Sequence, residues 1–594
     1  MIKLSDYVFK FLAAWGVRHV FVLPGGGCIH LCDSLGKNPD LDYIPLLHEQ
    51  AISIAVEAYG QHTNRSGVAL VTAGPGATNS ITGVTAGWID STPMLIISGQ
   101  AKTADLIGDS GVRQIGSQEV QIIPMVRHIT KYAATVLNPL EIKYHLEKAL
   151  YLANSGRKGP SWIEIPLDVQ GAMIDEESLK SSAPESGIQR EQSDISALVD
   201  AAIQMLNDSQ KPLFLVGNGV KLSGTDEKFL NIARTLNVPI QTTWKIIDML
   251  DNSDELNFGC PGLLGHRSAN FILQDADLLI VLGSRLDFSL TAYNNGNFGK
   301  SAKKILVDID VHEIGKLKDM DISLKIVADM TDFLGTLESK LREIKRADRS
   351  LWLRYCKETK AKYPAVTEEH YRDEGFVNTY AFIDKLSDLL EADDIIVPES
   401  SGNAGEVTYQ AIRIKRGQKM KNAAGLGSMG FGLPYAIGSC IANDCRRTVL
   451  INGDGAFQLN IQELAPLVAM RLPIKIFIWD NDAYATIMAT QRNMFDGNYV
   501  ASERHSKLRL PDTLNVARAY GLRTFEIRKN SEIEDVVTEV LNADGPVICN
   551  VKVSPLQTVS PRVQSKRLPD GGMVSMPLEN MWPYLEEEIN KPAH

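Results

Sequence analysis

Cysteine is scarce in this sequence, and the few cysteines form no recognisable framework. Seven are spread over 594 residues, their number is odd, and no two have CxxC spacing. A disulfide-bonded scaffold and a structural zinc site both need cysteines paired at short spacing, so the sequence argues against both. Free thiols fit a reducing compartment, and we expect a cytoplasmic protein.

Long apolar runs and blocks of like charge are also missing. No segment approaches the roughly 20 apolar residues that span a bilayer. The N-terminal apolar stretch is interrupted by Asp6 and lacks a cleavage site of small residues. The net charge of −11 is spread along the chain, which argues against nucleic-acid binding. We therefore expect a soluble enzyme or binding protein with neither a membrane nor a nucleic-acid partner.

A chain of 594 residues is too long for one hydrophobic core. Strand patterns that run into glycine turns and then into helical patterns recur along it, which is typical of βαβ units on parallel sheets. We predict three consecutive α/β domains with parallel sheets at residues 1–175, 195–345 and 371–560, followed by a tail over 561–594. The polar stretch 174–194 is predicted to be a linker. The first and third domains share the pattern of strands that run into glycine turns, which suggests a duplication.

Two strand ends in the third domain carry polar side chains. Asp454 stands between Gly453 and Gly455 after the strand pattern "RTVLI", and Asn481 follows the next strand pattern, "IKIFIW". Ligands bind at the carboxyl ends of parallel strands, and one crossover separates these two ends, so they could lie side by side. One carboxylate and one amide oxygen suit Mg²⁺ together with the phosphate oxygens of a ligand.

The chain around Asp454 has two possible interpretations. The glycines would let the backbone approach a phosphate, and a helix predicted over "FQLNIQELAPLVA" would direct its positive N-terminus at that anion. The alternative is a structural corner in which the aspartate only caps the helix, and this would be preferred for Gly-Asp-Gly alone. The second polar strand end favours a metal–diphosphate site instead.

Gly-Asp-Gly at this spacing resembles the motif of thiamine-diphosphate enzymes, which ends in two asparagines. The second asparagine holds the metal in that family. Asn481 matches it, whereas Asp480 replaces the first. The resemblance implies that Asp454, Asn481 and the backbone carbonyl of Ala483 bind Mg²⁺. It also implies a catalytic carboxylate in another domain, and Glu49, in "HEQ" at a helix start, matches the family's glutamate.

Taken alone, Glu49 could simply be a glutamate favoured by the helix macrodipole, but longer matches support the catalytic role. The segments "LPGGGCIHL", "TAGPGATNSITGVTAGWIDSTPMLIISGQ", "KGPSWIEIPLDVQ" and "AGLGSMGFGLPYAIG" resemble those of the acetohydroxyacid (acetolactate) synthase group. The chain is identified as a member of that group. Membership implies pyrimidine-binding, central and diphosphate-binding domains, and active sites between the subunits of a homodimer or homotetramer.

The resemblance also assigns further residues to the site. Gln118 aligns with the family's active-site glutamine, and Met429 aligns with the apolar residue that bends the cofactor. Ala456 stands where family members often have serine. The other positions expected to contact the cofactor are Gly25, Gly26, Thr72, Pro75, Gly76, Asn79, Gly402, Asn403, Ala404, Gly427, Gly453, Gly455, Tyr484 and Ile487.

Three positions depart from the acceptor site of the group. Ser289 stands where the group has an arginine that holds the acceptor's carboxylate, Gln491 where it has a tryptophan, and Ser117 where it has a phenylalanine. A serine cannot replace the charge-assisted bidentate hydrogen bonds of a guanidinium. We therefore expect a larger and more polar substrate pocket, in which Gly27 also takes part.

The function implied by the resemblance is that of a carboligase. It would decarboxylate a 2-oxo acid, with pyruvate as the expected donor, and transfer the two-carbon unit to a carbonyl acceptor. The departures resemble carboligases outside valine synthesis, some of which act on ketosugar nucleotides. Alternatives are a true acetolactate synthase that condenses two pyruvates, a decarboxylase that releases an aldehyde, and a catalytically silent relative.

The central domain leaves one cofactor question open. "GLLGHRSAN" and "GSRLDFSLT" resemble segments that contact a non-catalytic FAD in this group. The strand-end turns "GNGV" and "VLGSR" could serve a flavin or merely pack, because no glycine pattern here is specific.

Overall fold

The computed structural model describes residues 1–182, 195–345, 347–372, 375–567 and 571–585. Within these ranges the chain forms three consecutive α/β units, each built on a parallel sheet. The predicted fold class is confirmed. Residues 183–194 of the predicted linker lie outside the described ranges, and no helix within those ranges is long and apolar enough to cross a bilayer.

The first unit has a six-stranded parallel sheet in the order β3-β2-β4-β5-β7-β6, with β1 and β8 paired beside it. Its inner strands β4, β5 and β7 are buried throughout, which explains their continuous apolar runs, since helices cover both faces. The strands are β1 Ile2–Lys3, β2 His19–Val22, β3 Asp42–Pro45, β4 Gly67–Val71, β5 Met94–Gln100, β6 Tyr132–Thr135, β7 Pro160–Pro166 and β8 Met173–Ile174. The helices are α1 Leu4–Trp15, α2 Ile29–Lys37, α3 Glu49–Thr63, α4 Pro75–Asn79, α5 Ile81–Ile89, α6 Ile122–Val126, α7 Ile142–Asn154 and α8 Leu167–Gly171.

The central unit has a five-stranded sheet in the order β10-β9-β11-β12-β13. The strands are β9 Pro212–Val216, β10 Ile240–Thr242, β11 Leu278–Leu282, β12 Lys303–Asp308 and β13 Leu324–Val327. The helices are α9 Ile195–Asp208, α10 Asn218–Leu222, α11 Asp226–Leu236, α12 Arg267–Asp275, α13 Phe288–Thr291, α14 Val311–Gly315 and α15 Met330–Ser339. The charged helix α16, Ser350–Lys362, leads to the third unit. It packs on the central one, where the indole of Trp352 donates to the Pro212 carbonyl at 2.9 Å.

The third unit has a six-stranded sheet in the order β15-β14-β16-β17-β19-β18. The strands are β14 Ile395–Pro398, β15 Lys419–Met420, β16 Thr448–Gly453, β17 Ile474–Asp480, β18 Arg523–Ile527 and β19 Val547–Lys552. The helices are α17 Thr379–Leu389, α18 Asn403–Ala411, α19 Gly432–Ala442, α20 Asp454–Phe457, α21 Leu464–Ala469, α22 Ala485–Met494, α23 Thr513–Ala519 and α24 Ile533–Asn542. Numbered within each sheet, the main strands of the first and third units follow the same order, 2-1-3-4-6-5. This shared strand order supports a duplication more strongly than the shared sequence pattern of strands and glycine turns did.

The predicted helix after Asp454 is interrupted, so that prediction was wrong. The short α20 is followed by a 3-10 segment in which Asn460 has non-helical dihedral angles, and α21 begins only at Leu464. The Asn460 side chain donates to the Gly430 carbonyl at 2.8 Å, which holds the kink in place. The backbone N–H groups at Asp454 therefore belong to a single turn of helix.

The C-terminal tail folds back onto the central unit. It contributes β20 Arg562–Val563, β21 Ser565–Arg567, β22 Met573–Ser575 and β23 Met581–Trp582, which pair as β20-β23 and β21-β22. Asn270 of α12 donates to the Leu578 carbonyl at 2.9 Å, and Gln274 donates to the Glu579 carboxylate at 2.6 Å. The described part of the tail thus covers α12.

The first and third units share one hydrophobic core, whereas the central sheet has its own. Helices α3 and α19 meet in the shared core, to which Ile52, Ala55 and Ile437 belong. The approach is close at Gly438, where an added Cβ would lie 2.1 Å from the Ala55 carbonyl oxygen. Only a glycine lets the two helices pack at this distance.

Gly438→Ala should therefore destabilise the protein. We expect a loss of roughly 1–3 kcal/mol in the free energy of unfolding, because the added methyl group meets backbone rather than a movable side chain. Gly335→Ala on α15 is the matched control, since an added Cβ there meets nothing within 4 Å. Urea titration should show no loss for the control, and an equal loss in both variants would contradict the packing argument.

Candidate active site

Glu49 is the first residue of α3 and is buried at the carboxyl edge of the first sheet. His48 caps the helix, with its Nδ1 accepting the Gln50 N–H at 3.0 Å. Glu49 Oε2 accepts a hydrogen bond from Asn79 Nδ2 at 3.0 Å. Two residues that the sequence assigned to one site, 30 positions apart, are thus in direct contact.

Thr72, directly after β4, organises the neighbouring glycine turns. The Gly27 N–H donates to Thr72 Oγ1 at 3.1 Å. An added Cβ on Gly25 would lie 2.6 Å from Thr72 Cβ, and one on Gly76 would lie 2.7 Å from Thr72 Cγ2 and 3.1 Å from Glu49 Oε1. The turn after β2, which includes Gly26, and the turn after β4, where α4 begins at Pro75, therefore form one surface with the carboxylate.

Gln118 and Ser117 lie exposed on the loop between β5 and α6. Gln118 has a positive φ of 58°, and its carbonyl oxygen lies only 2.1 Å from where a Cβ on Gly74 would stand. Buried Glu119 shapes this loop by accepting the N–H groups of residues 115 and 116, each at 3.1 Å. Glu119 was not identified from the sequence, where its only signal is an acidic residue beside Gln118.

Asp454 joins the ends of β16 and β17. Its Oδ2 accepts the N–H groups of Asn481 at 3.0 Å and Asp482 at 2.7 Å, and its Oδ1 accepts the Gly455 N–H at 2.8 Å. The Ala483 N–H in turn donates to Asn481 Oδ1 at 3.1 Å. The two polar strand ends therefore lie side by side, as their spacing predicted.

Burial, reinforced by the nearby Asp480 carboxylate, raises the pKa of Asp454 to about 7. A cation at this position would offset both effects and favour the ionised carboxylate. No group of three or more His, Cys, Asp or Glu side chains suited to a metal occurs in the described ranges. The ligands expected here are instead one carboxylate, one amide oxygen and the carbonyl oxygen of Ala483. Such a set of oxygen ligands suits a Mg²⁺ ion that also binds phosphate oxygens.

The turn after β14 faces the same edge of the sheet. Gly402, with φ of +75°, leads into α18. The side chain of the next residue, Asn403, accepts a hydrogen bond from Thr486 Oγ1 at 3.3 Å. Gly427, with φ of +62°, lies close enough that an added Cβ would be 3.9 Å from the Ser400 carbonyl oxygen. The expected diphosphate turn therefore adjoins the segment that follows Asn481.

The other residues that the sequence predicts to contact the cofactor lie around these turns. An added Cβ on Gly455 would lie 2.3 Å from the Tyr484 ring, so the ring covers that glycine. Ala404 and Ala456 are buried, Met429 is half-buried and Ile487 is exposed. Gly453 ends β16 with open space beside it.

Glu399, at the end of β14, was not identified from the sequence. It is fully buried, and its carboxylate accepts the N–H groups of Ser400 at 2.8 Å and Gly432 at 3.0 Å. Burial raises its pKa to about 7. The residue ties the diphosphate turn to the start of α19, and its only sequence signal is an acidic residue at a strand end.

The three acceptor-site positions lie on separate segments. Ser289 is exposed on α13, and Ser117 is exposed on the loop before α6. The Gln491 side chain on α22 is engaged locally, because it donates to the Val500 carbonyl at 3.1 Å and accepts from Ser502 Oγ at 2.5 Å. Among the described residues, no hydrogen bond joins any two of these three positions.

A cavity of about 670 Å³ opens at the carboxyl ends of the central strands. Its lining includes Gly217, Gly283 and Asp308 from the central unit, and it reaches Gly402 and Ser289. The glycines of the β9 and β11 turns pack on each other, since an added Cβ on Gly217 would lie 2.3 Å from the Gly283 carbonyl. Burial raises the pKa of Asp308 to about 6.

Models of three protein domains match the chain in order. They are described as the N-terminal TPP binding domain, the central domain and the C-terminal TPP binding domain of thiamine pyrophosphate enzymes, and they match residues 2–122, 199–337 and 400–551. These ranges correspond to the three α/β units.

Full-length relatives are similar throughout. The large subunit of acetolactate synthase isozyme 2 of Escherichia coli is 31% identical over 97% of this chain and 99% of its own length. The large subunit of isozyme 1 of the same organism is 29% identical over 94% and 95%. The chloroplastic acetolactate synthase 2 of Zea mays is 29% identical over 95% and 87%.

Proposed function

The chain belongs to the thiamine pyrophosphate enzymes of the acetolactate synthase type, and on that premise we propose that it decarboxylates pyruvate and transfers the two-carbon unit to a carbonyl acceptor. The observation that carries the proposal is that two polar clusters lie at the carboxyl edges of the first and third sheets. Glu49 contacts Asn79 on the first sheet, and Asp454 binds the Asn481 backbone on the third. A carboxylate for proton transfer and a metal–diphosphate site are the two parts that this chemistry needs.

The third unit would hold the metal and the diphosphate. Asp454, Asn481 and the Ala483 carbonyl would bind Mg²⁺, and the backbone N–H groups of the turn at residues 402–404 would receive phosphate oxygens. When bound, thiamine diphosphate supplies the nucleophilic carbon and the electron sink for decarboxylation. Met429, on the loop after Gly427, would support the bent cofactor on its apolar side.

The first unit would supply proton transfer. Glu49 is buried and already held by Asn79, so its free oxygen could hydrogen-bond a ring nitrogen of the pyrimidine and hold a proton there. The Gly25 and Gly76 turns pack closely on Thr72 beside it, so that a side chain at either glycine would collide with Thr72. Gln118 would present a polar group to the substrate, from a loop that Glu119 holds in shape.

We propose a homodimer or homotetramer with the site between subunits. Among the described residues, no hydrogen bond or ion pair joins Glu49 to the Asp454 cluster within one chain. Large apolar side chains beside both halves, Leu47, Leu459 and Ile487, are exposed in the single chain, and a second copy would cover them. All seven cysteines are free, which supports a cytoplasmic location. Light scattering that finds only monomer would contradict the assembly.

The two halves can be tested separately. Glu49→Gln should lower turnover at least about 100-fold while thiamine diphosphate still binds, because it removes only the proton-transfer group. Asp454→Asn should abolish Mg²⁺-dependent cofactor binding itself. Calorimetric titration and CO₂ release from pyruvate measure the two effects.

Glu57→Gln is the control for this experiment. Glu57 is a buried glutamate two turns further along α3 that accepts from Thr92 at 2.7 Å, outside the site. The proposed role of Glu49 fails if its variant turns over normally, or if the control loses as much activity as Glu49→Gln.

The acceptor is tested by product analysis. With pyruvate alone we expect little acetolactate, and we expect CO₂ release to accelerate when an aldehyde, ketone or ketosugar is added, because Ser289 offers no cation to a second carboxylate. Ser289→Arg should raise acetolactate formation about tenfold or more, the equivalent of one charge-assisted hydrogen bond. Ser289→Gln, similar in length but neutral, should not.

Abundant acetolactate from the unmodified protein and pyruvate alone would identify a true acetolactate synthase. Release of free aldehyde as the main product would identify a decarboxylase, a function that the comparisons do not favour. Either result would contradict the proposed change of acceptor.

We also propose the central cavity as the site of FAD. Its position at the strand ends and its size suit a dinucleotide, and the Asp308 carboxylate could accept hydrogen bonds from hydroxyl groups of the ligand. The glycines of the β9 and β11 turns pack on each other and also line this cavity. Protein reconstituted with FAD and then heat-denatured should release close to one flavin per chain by fluorescence, and release of none would contradict the assignment.

A further inference from the structure

Asp480 introduces a second negative charge beside the metal site. It is the last residue of β17 and directly precedes Asn481. Its strand lies between β16, which leads to Asp454, and β19. The thiamine-diphosphate motif has a neutral asparagine at this position, so the aspartate needs a compensating interaction.

The neighbouring strand provides a partner for this carboxylate. Lys552, the last residue of β19, is the register partner of Asp480 in the parallel β17–β19 ladder. Its ammonium group donates to Asp480 Oδ2. Asn550 Nδ2 donates to the same oxygen at 2.8 Å. The carboxylate is thus held from the β19 side of its strand, opposite the side on which Asp454 lies.

The backbone strengthens this connection. The Val553 N–H, directly after Lys552, donates to the Asp480 carbonyl at 3.1 Å. The end of β19 therefore holds both the side chain and the main chain of the residue before Asn481. Any displacement of Asp480 would move the Asn481 N–H, which Asp454 accepts at 3.0 Å.

The positive charge of Lys552 is needed to balance the negative charge of Asp480. With Lys552 in place, Asp454, Asp480 and the ammonium together carry one negative charge, as Asp454 would beside a neutral asparagine. Without it, the Asp480 carboxylate would lack its counter-charge and would have little solvent to screen it, because its side chain is only 16% exposed. Removing one partner of such a pair leaves an uncompensated charge, and Asp480 would then lose one of the two side-chain groups that hold its carboxylate in place directly before Asn481.

We propose that Lys552 is a positioning residue for the metal–diphosphate site, holding Asp480 so that Asn481 and Ala483 stay in the geometry that binds Mg²⁺. The inference rests on the proposed function, because it requires that metal site. It assigns a role to a residue 71 positions from Asn481 that touches neither metal nor cofactor.

The test is a mutant cycle read by cofactor binding rather than by turnover. Lys552→Met should weaken Mg²⁺-dependent binding of thiamine diphosphate about 10–100-fold, the range typical for groups that orient metal ligands. The double variant Lys552→Met with Asp480→Asn should recover most of the affinity, because the neutral asparagine needs no counter-charge. Lys552→Arg should also retain it. Calorimetric titration and the melting temperature with and without Mg²⁺ and cofactor give the readouts.

Lys419→Met is the matched control. Lys419 is a half-buried lysine on β15 of the same sheet, and it binds the neutral Asn443 Oδ1 at 2.8 Å. We expect the control to bind the cofactor as tightly as the unmodified protein.

The outcomes separate this inference from the proposed function. If the unmodified protein does not bind thiamine diphosphate with Mg²⁺, the proposed function itself fails. If it binds and Lys552→Met binds equally well, only the role of Lys552 is overturned. The same holds if Asp480→Asn fails to rescue the lysine variant, because a merely structural loss would not be repaired by neutralising its partner.

Discussion

The three hydrogen bonds accepted by the Asp454 carboxylate are the interaction on which the rest of the site depends. They tie the end of β16 to the loop after β17, so that two segments separated by a whole crossover share one set of backbone groups. A buried carboxylate is costly unless it is hydrogen-bonded or binds a cation. The structure satisfies the first condition, yet burial together with the nearby Asp480 carboxylate still raises the pKa of Asp454 to about 7.

The same principle extends outward through buried acidic residues. Glu399 holds the diphosphate turn to α19, and Glu463 accepts the Leu47 N–H at 3.1 Å, two residues before Glu49. Each carboxylate accepts N–H groups from irregular backbone, which gives these buried donors hydrogen-bond partners. Through Glu463 and the close contact of α3 with α19, the first and third units pack directly against each other as one frame. A rigid frame of this kind suits a site that must align groups from different domains.

The central unit relates to this frame differently. It has a core of its own, and the tail folds over α12 to cover one side of it. Its strand ends open a cavity that runs to Gly402, so a ligand in the central unit would adjoin the diphosphate turn. Ser289 lies on this cavity, so the proposed change of acceptor recognition would involve the same space. A larger acceptor would have room there without any change in the residues that hold the cofactor.

The family resemblance assigned Glu49 and Asn79 to one site, and the structure showed that they are in contact. The sequence by itself determined the three α/β units, the strands that run into glycine turns, and the neighbouring strand ends at Asp454 and Asn481. Local periodicity and the strand-end rule for parallel sheets carry that information, because they depend only on short spacing and on one crossover. The tertiary structure alone decided the kink at Asn460, the local engagement of Gln491 with Ser502, the return of the tail to α12 and the pairing of Asp480 with Lys552. Each depends on a partner distant in the chain, and an isolated lysine at a strand end carries no sign of which carboxylate it will meet. Contacts of this kind follow from sheet order and register, which the sequence specifies only through the whole fold.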